Sequence, residues 1–199
     1  MHRIAVLISG SGTNLQAIID AVEQGQLPGV EIAVVISNRR EAYGLRRAIQ
    51  HGIPVIYFPL LPYSKKRKPR SEYDETLAGI TRLFGADYIV LAGWMHIFTR
   101  AFLNCYPDRI LNLHPALPGA FPGANAIEEA YQAFQNGEIE HTGVMLHLVP
   151  DEQVDAGPVL MTVDVPIYPT DSLADLEQRI HTAEHKLLVK GIGMLVKGN

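Results

Sequence analysis

The chain has a single cysteine, Cys105, and no apolar run near the ~18–20 residues that a membrane-spanning helix needs. One thiol excludes an internal disulfide and a multi-thiolate zinc site, and it is compatible with a reducing compartment. An excess of positive charge is lacking too. Lys and Arg total 17 against 21 Asp and Glu, a net charge of −4, which argues against a general nucleic-acid surface. The apolar start, Met1 to Ile8, stops at a Gly/Ser turn too early for a signal-peptide core. Internal repeats and low-complexity segments are missing as well. The expected protein is cytoplasmic, binds neither membrane nor nucleic acid, and is a monomer or homodimer.

What is present is an ordinary globular composition, 47% hydrophobic and 19% charged over 199 residues. That length allows one sizeable core, or two closely packed halves sharing a sheet. Arg3 to Ser9 is a near-continuous aliphatic run, the mark of a parallel strand buried on both faces, and it enters Gly10-Ser-Gly-Thr-Asn14. Leu15, Ile18, Ile19 and Val22 then take the spacing of an amphipathic helix ending near Gly25. A strand at 31–37, a helix at 43–51 and a strand at 54–58 follow. Repeated βα units predict an α/β fold, a doubly wound, mainly parallel sheet with a Rossmann-like N-terminal half.

Prolines at 59, 62 and 69 around the basic run Lys65 to Lys68 predict an exposed, mobile loop over 59–70. Further along come a helix at 72–84, strands at 88–93 and 110–113, a helix at 127–136, and strands at 143–149 and 159–165. A terminal helix over 173–196, with a break expected near Gly191, completes the pattern. The chain reads as a single domain over 1–199. Its first ~100 residues are the expected phosphate-binding half, and 101–199 the expected catalytic half.

Two places carry chemistry. Gly10 to Asn14 lies between strand and helix, so its backbone N–H groups and the helix N-terminus suit a phosphate. The dinucleotide fingerprint fails, because Leu15 stands where a third glycine belongs and Ser37-Asn-Arg-Arg40 replaces an acidic strand end. Arg39 and Arg40 keep a 2′-phosphate, and so NADP, open; a tight turn with no ligand is the plain alternative. The second place is Asn112-Leu-His114, whose alternation sets an amide and an imidazole on one face of a strand end. Both are donors suited to a developing oxyanion. Asp155, in Val154-Asp-Ala-Gly-Pro158, can favour the charged form of His114 and hold a water that relays a proton. The bland readings are a satisfied polar cluster and a simple turn aspartate.

At these residues the sequence resembles the phosphoribosylglycinamide formyltransferase family, over nearly the whole chain. Ile8 to Asp20, Leu91-Ala-Gly-Trp-Met95, Leu111-Asn-Leu-His-Pro115 and Asp151 to Pro158 carry the resemblance in order and spacing. It implies formyl transfer from 10-formyltetrahydrofolate, as co-substrate, to the amine of 5-phosphoribosylglycinamide in de novo purine (IMP) biosynthesis, with no metal and no covalent enzyme intermediate. By the same resemblance Gly12, Thr13 and Asn14 cradle the substrate phosphate, and Glu184 meets the glycinamide end. Asn112 and His114 polarise the formyl carbonyl and stabilise the tetrahedral intermediate, and Asp155 assists proton transfer. Arg70 meets the glutamate tail of the folate, while Met95, His96, Ile97, Phe98 and Asn112 line its pocket, and the resemblance makes 101–199 the folate-binding half as well as the catalytic one.

The chain departs from the family pattern in three places. His96 stands where arginine is frequent, His114-Pro-Ala-Leu-Pro-Gly119 alters the loop after the histidine, and Gly123-Ala-Asn125 is closer to formyltetrahydrofolate deformylases. A deformylase would hydrolyse the formyl group; the phosphate turn, and a start directly at the first strand, favour an amine substrate instead. A methionyl-tRNA formyltransferase is expected to carry a further domain and a basic surface. His181-Thr-Ala-Glu-His185 matches a zinc-protease pattern, and two ordinary helix histidines are the expected reading. A catalytically inactive nucleotide-binding module is the remaining rival.

Overall fold

A computed structural model of the chain describes residues 1–197. In chain order the elements are β1 (His2–Ile8), α1 (Thr13–Glu23), β2 (Val30–Ser37), α2 (Tyr43–Gln50), β3 (Val55–Tyr57), α3 (Leu61–Lys65) and α4 (Arg70–Leu83). Then follow β4 (Tyr88–Leu91), α5 (Arg100–Leu103), β5 (Ile110–His114), α6 (Ala126–Gln135), β6 (His141–Leu148), β7 (Val159–Pro166) and α7 (Leu173–Lys197). The strands make one sheet in the order β3-β2-β1-β4-β5-β6-β7. The first five are parallel, and β6 and β7 run antiparallel to their neighbours.

Alternate residues of each central strand feed two cores, which is why β1 reads as an unbroken aliphatic run. Ile4, Val6 and Ile8 pack with α1 and α7, whereas Ala5 and Leu7 pack on the other face with Tyr73 and Leu77 of α4. The chain steps outward from β1 to β2 and β3, then returns to the other side of β1 as β4. That reversal opens a crevice at the carboxyl ends of β1 and β4, the place where open α/β sheets bind ligands.

Two expectations are corrected and one short helix is added. The 59–70 segment holds the short helix α3, where Pro62 sits in the first turn and its missing N–H costs nothing. The four-residue α5 is one turn, too short to leave a periodicity. Finally, α7 runs unbroken through Gly191. A side chain at 191 would overlap Leu146 Cδ2, so the glycine lets the helix lie close on β6 rather than breaking it.

Candidate active site

The turn after β1 is shaped by close backbone approach. Gly12 takes φ 72, and a Cβ there would lie 2.5 Å from Gly44 Cα at the start of α2. Gly44 N donates to Gly10 O at 3.2 Å, and Arg47 Nε to Ser11 O at 3.0 Å, so α2 braces the turn from outside. The first bond of α1 is Gln16 N to Gly12 O at 2.9 Å. The N–H groups of Thr13 and Asn14 therefore have no acceptor within the helix. No acidic residue and no side-chain cap occupies this first turn, and Asn14 Oδ1 is buried without a partner. The result is a positive, donor-rich end suited to an anion. Arg47, which the sequence pattern did not single out, adds a guanidinium beside it.

Strand register places the second cluster level with this turn. Leu7 pairs with Leu91, and Leu91 with Asn112, so Asn112 lies two strands across from Leu7 and His114 projects one pleat further. Asn112 Nδ2 donates to Asp155 Oδ1 at 3.0 Å. His114 Nδ1 lies 3.3 Å from Asp155 Oδ2, and His114 Nε2 donates to Phe121 O at 3.0 Å. Both ring nitrogens thus face oxygen acceptors. The three residues that sequence spacing could only suggest are thus in mutual contact.

Asp155 is held in place by its backbone and its partners. It adopts φ 51, a left-handed conformation costing a non-glycine residue about 1–2 kcal/mol. Next to it, a side chain at Gly157 would overlap Leu148 O, and Leu148 N donates to Pro158 O at 2.9 Å. Gly123 N donates to Asp155 Oδ2 at 3.0 Å, clamping the loop after His114 onto the carboxylate. Burial pushes the Asp155 carboxyl up, but hydrogen bonding from His147, the Gly123 N–H and the charge of His114 outweigh it. The group is held below its ordinary value.

His147 is the member that sequence reasoning missed. It pairs with Asn112 across β5 and β6, and its Nε2 lies 3.0 Å from Asn112 Nδ2 and 3.5 Å from Asp155 Oδ1. Its Nδ1 donates to Leu148 O at 2.9 Å, and its Nε2 stands between the Asn112 amide and the Asp155 carboxylate. The available signal was a lone histidine in the otherwise aliphatic run Gly143 to Val149.

Residues assigned to the folate lie between the ends of β2, β4 and α4. Arg70 opens α4, its Nε donating to Asp74 Oδ1 at 3.1 Å. His96 Nε2 is 2.8 Å from Asn38 Nδ2, and its ring is held below the ordinary histidine range by burial and by the Arg70 charge. Met95 N donates to Ser9 Oγ at 3.0 Å, tying this segment to the end of β1. Met95 and Ile97 are exposed, whereas Phe98 is buried and stacks on Phe102 with centroids 4.2 Å apart.

Glu184 is buried on α7, and its Oε2 accepts from His181 Nδ1 at 2.7 Å. That bond raises the His181 pKa, while burial lowers that of His185. Among the described residues no group of three His, Cys, Asp or Glu is placed to hold a metal ion, and no helix is long and apolar enough to cross a membrane.

The formyl transferase family pattern matches residues 2–192. The chain is 51% identical to a phosphoribosylglycinamide formyltransferase of Dictyostelium discoideum, covering 96% of this chain and 97% of that one. It is 48% identical to one from Schizosaccharomyces pombe, covering 98% of each. Its fold matches the crystal structure of glycinamide ribonucleotide transformylase 1 from Symbiobacterium toebii with a TM-score of 0.90 and 39% identity, over 100% of this chain and 89% of that one. Likeness of this extent over almost every residue of both partners leaves one assignment: the chain belongs to the phosphoribosylglycinamide formyltransferase family, within the formyl transferases.

Proposed function

We propose that the chain transfers the formyl group of 10-formyltetrahydrofolate to the amine of 5-phosphoribosylglycinamide, a step of purine biosynthesis in the cytoplasm. The observation that carries this reading is the register that sets the phosphate turn level with Asn112 and His114, two strands away. Two strand spacings span about 10 Å. From phosphorus to amine the ribotide has about nine bonds, which at 3.8 Å per three extended bonds reaches roughly 11 Å. A phosphate at Gly12 to Asn14 therefore delivers an amine to the catalytic pair. Water, the nucleophile of a deformylase, has no use for that anchor.

The amine attacks the formyl carbon directly, and the tetrahedral intermediate collapses by breaking the bond to the folate nitrogen N10, which leaves with the proton that the amine gives up. Asn112 and His114 donate to the developing oxyanion, and Asp155 orients His114 while a held water relays the amine proton. The formyl oxygen takes over the hydrogen bond that His114 Nε2 now gives to Phe121 O. Glu184 faces the glycinamide end, and Arg70 with the 95–98 segment takes the folate. Bringing the two substrates together supplies much of the acceleration. Each substrate draws on both halves of what is one continuous sheet.

Incubating the purified protein with labelled formyl-folate, with and without the glycinamide ribotide, tests the reading. Transfer that requires the amine supports it. Formate released without the amine would make the chain a deformylase, and no turnover would make it a binding module.

A further inference from the structure

Asp74 lies on α4 with no exposed surface, outside the catalytic cluster. Its Oδ1 accepts from Arg70 Nε, one helical turn earlier, at 3.1 Å, and its Oδ2 accepts from Thr99 N at 2.7 Å. One buried carboxylate therefore joins the start of α4 to the end of the segment that leaves β4. The guanidinium it grips keeps 28% of its side chain exposed, lies 5.3 Å from the Tyr73 ring centroid, and has Nη2 buried without a partner. More unpaired buried polar atoms gather on the same segment: Trp94 Nε1, His96 Nδ1 and Thr99 Oγ1, with Asn38 Oδ1 opposite. Buried polar groups are ordinarily paired, so this gathering marks a wall that is complete only with polar atoms from outside the chain.

A buried ion pair is weak evidence for a stabilising role, since apolar residues of like volume do as well or better. A carboxylate that grips a guanidinium by Nε alone instead leaves the outer nitrogens aimed in a fixed direction. We infer that Asp74 is a positioning residue for the formyl donor. It fixes the Arg70 fork and the 94–99 segment at one spacing, so that the carboxylate-bearing end of the folate meets a preformed site. The inference rests on the assignment of Arg70 to the folate in the proposed function.

The test is direct folate binding, read without turnover. Trp94 is the only tryptophan and packs against His96 at 5.3 Å, so its fluorescence reports folic acid entering beside it. Asp74→Asn keeps an acceptor for Thr99 N but loses the charge that holds Arg70, and Arg70→Lys keeps the charge but loses the Nε grip. Each is expected to weaken folic acid binding roughly tenfold, with the loss falling on KM for the formyl donor and not on KM for the ribotide. The double variant is expected to bind no worse than the weaker single one. Additive losses, or equal rises in both KM values, would overturn the inference. If Asp74→Asn does not fold, Arg70→Lys decides, and an unchanged affinity there refutes the orienting role. Should the unaltered chain bind folic acid yet transfer no formyl group, the proposed function fails while these binding comparisons still stand.

Discussion

Replacing Asp155 with asparagine tests the proposed chemistry at its centre. The two carboxylate oxygens accept from Asn112 Nδ2 and Gly123 N, each at 3.0 Å, and face His114 Nδ1 at 3.3 Å. Asparagine offers one oxygen and one N–H₂, so whichever way its amide turns, a donor meets a donor, and the negative charge beside His114 is gone. Asparagine tolerates the left-handed φ of 51 as well as aspartate does, so the backbone is not the variable. One charge-assisted bond lost, with the imidazolium left unsupported, amounts to about 3–5 kcal/mol in the transition state. Turnover falls roughly 10²- to 10⁴-fold. The assay is single-turnover formyl transfer at saturating substrates, with ribotide affinity as the control, because the phosphate turn lies two strands away. The pH dependence has a fixed sign. With its pKa held below the ordinary value, Asp155 contributes stability in full above the unfolded-state value, and that contribution is lost as pH falls through the lower folded-state one. The stability gap between wild type and variant therefore persists through neutral and mildly acidic pH and closes only in strong acid. A turnover within about tenfold of wild type, in a variant that melts normally, would remove Asp155 from the mechanism.

Gly12→Ala forces a Cβ to 2.5 Å from Gly44 Cα at positive φ and should destabilise the fold by about 2–4 kcal/mol, lowering Tm by roughly 5–15 °C. A melting curve within about 2 °C of wild type would show that the turn has room the geometry denies. His147→Ala removes a neighbour of the Asn112 amide and a hydrogen-bonding partner of Asp155. Turnover should drop roughly 10- to 100-fold and the Asp155 carboxyl should titrate higher, followed by kinetics and by carboxyl NMR. In Glu184→Gln the His181 ring loses the bond that raises its pKa, and an NMR titration should show it moving down. Because that pKa is raised in the fold, the associated stability is full below the unfolded histidine value and fades as pH rises through the folded one. Equal denaturation midpoints for wild type and Glu184→Gln in mild acid would contradict this.

The elements legible in the sequence are those whose pattern is local. Arg3 to Ser9 and Tyr88 to Gly93 announce strands because both faces are buried, and the change from period two to period 3.6 at Leu15 marks the strand-to-helix turn. Glycine misled at 191, where the cause is a neighbouring strand that the local sequence cannot display. The resemblance names Phe98 together with Met95 and Ile97, and its side chain joins the aromatic stack while theirs face outward, a division that no local pattern announces. Within the site, Asn112 and His114 could be paired from strand periodicity alone. His147 could not, because its pairing with Asn112 depends on β6 running antiparallel, and a buried run such as Gly143 to Val149 carries no sign of direction.

Asp155 shows most clearly why long-range placement escapes a local reading. Leu148, the last residue of β6, pairs with Leu111, below the level of Asn112 and His114, and Val159 starts β7 opposite His147. A direct hairpin there would leave Asp155 at the foot of the sheet. The connection instead doubles back over the α4 and α5 face, where Arg100 N donates to Glu152 Oε1 at 3.0 Å and Arg100 Nη1 to Pro150 O at 3.1 Å. Glycine at 157 lets the backbone pass against Leu148 O, and the left-handed turn at 155 aims the carboxylate at Asn112 and His114. The Gly123 clamp then closes the loop after His114 over the same carboxylate, leaving the Asp155 side chain 11% exposed and that of His114 4%. In the proposed mechanism a proton relay so enclosed suits a nucleophile delivered on an anchor better than water arriving from bulk.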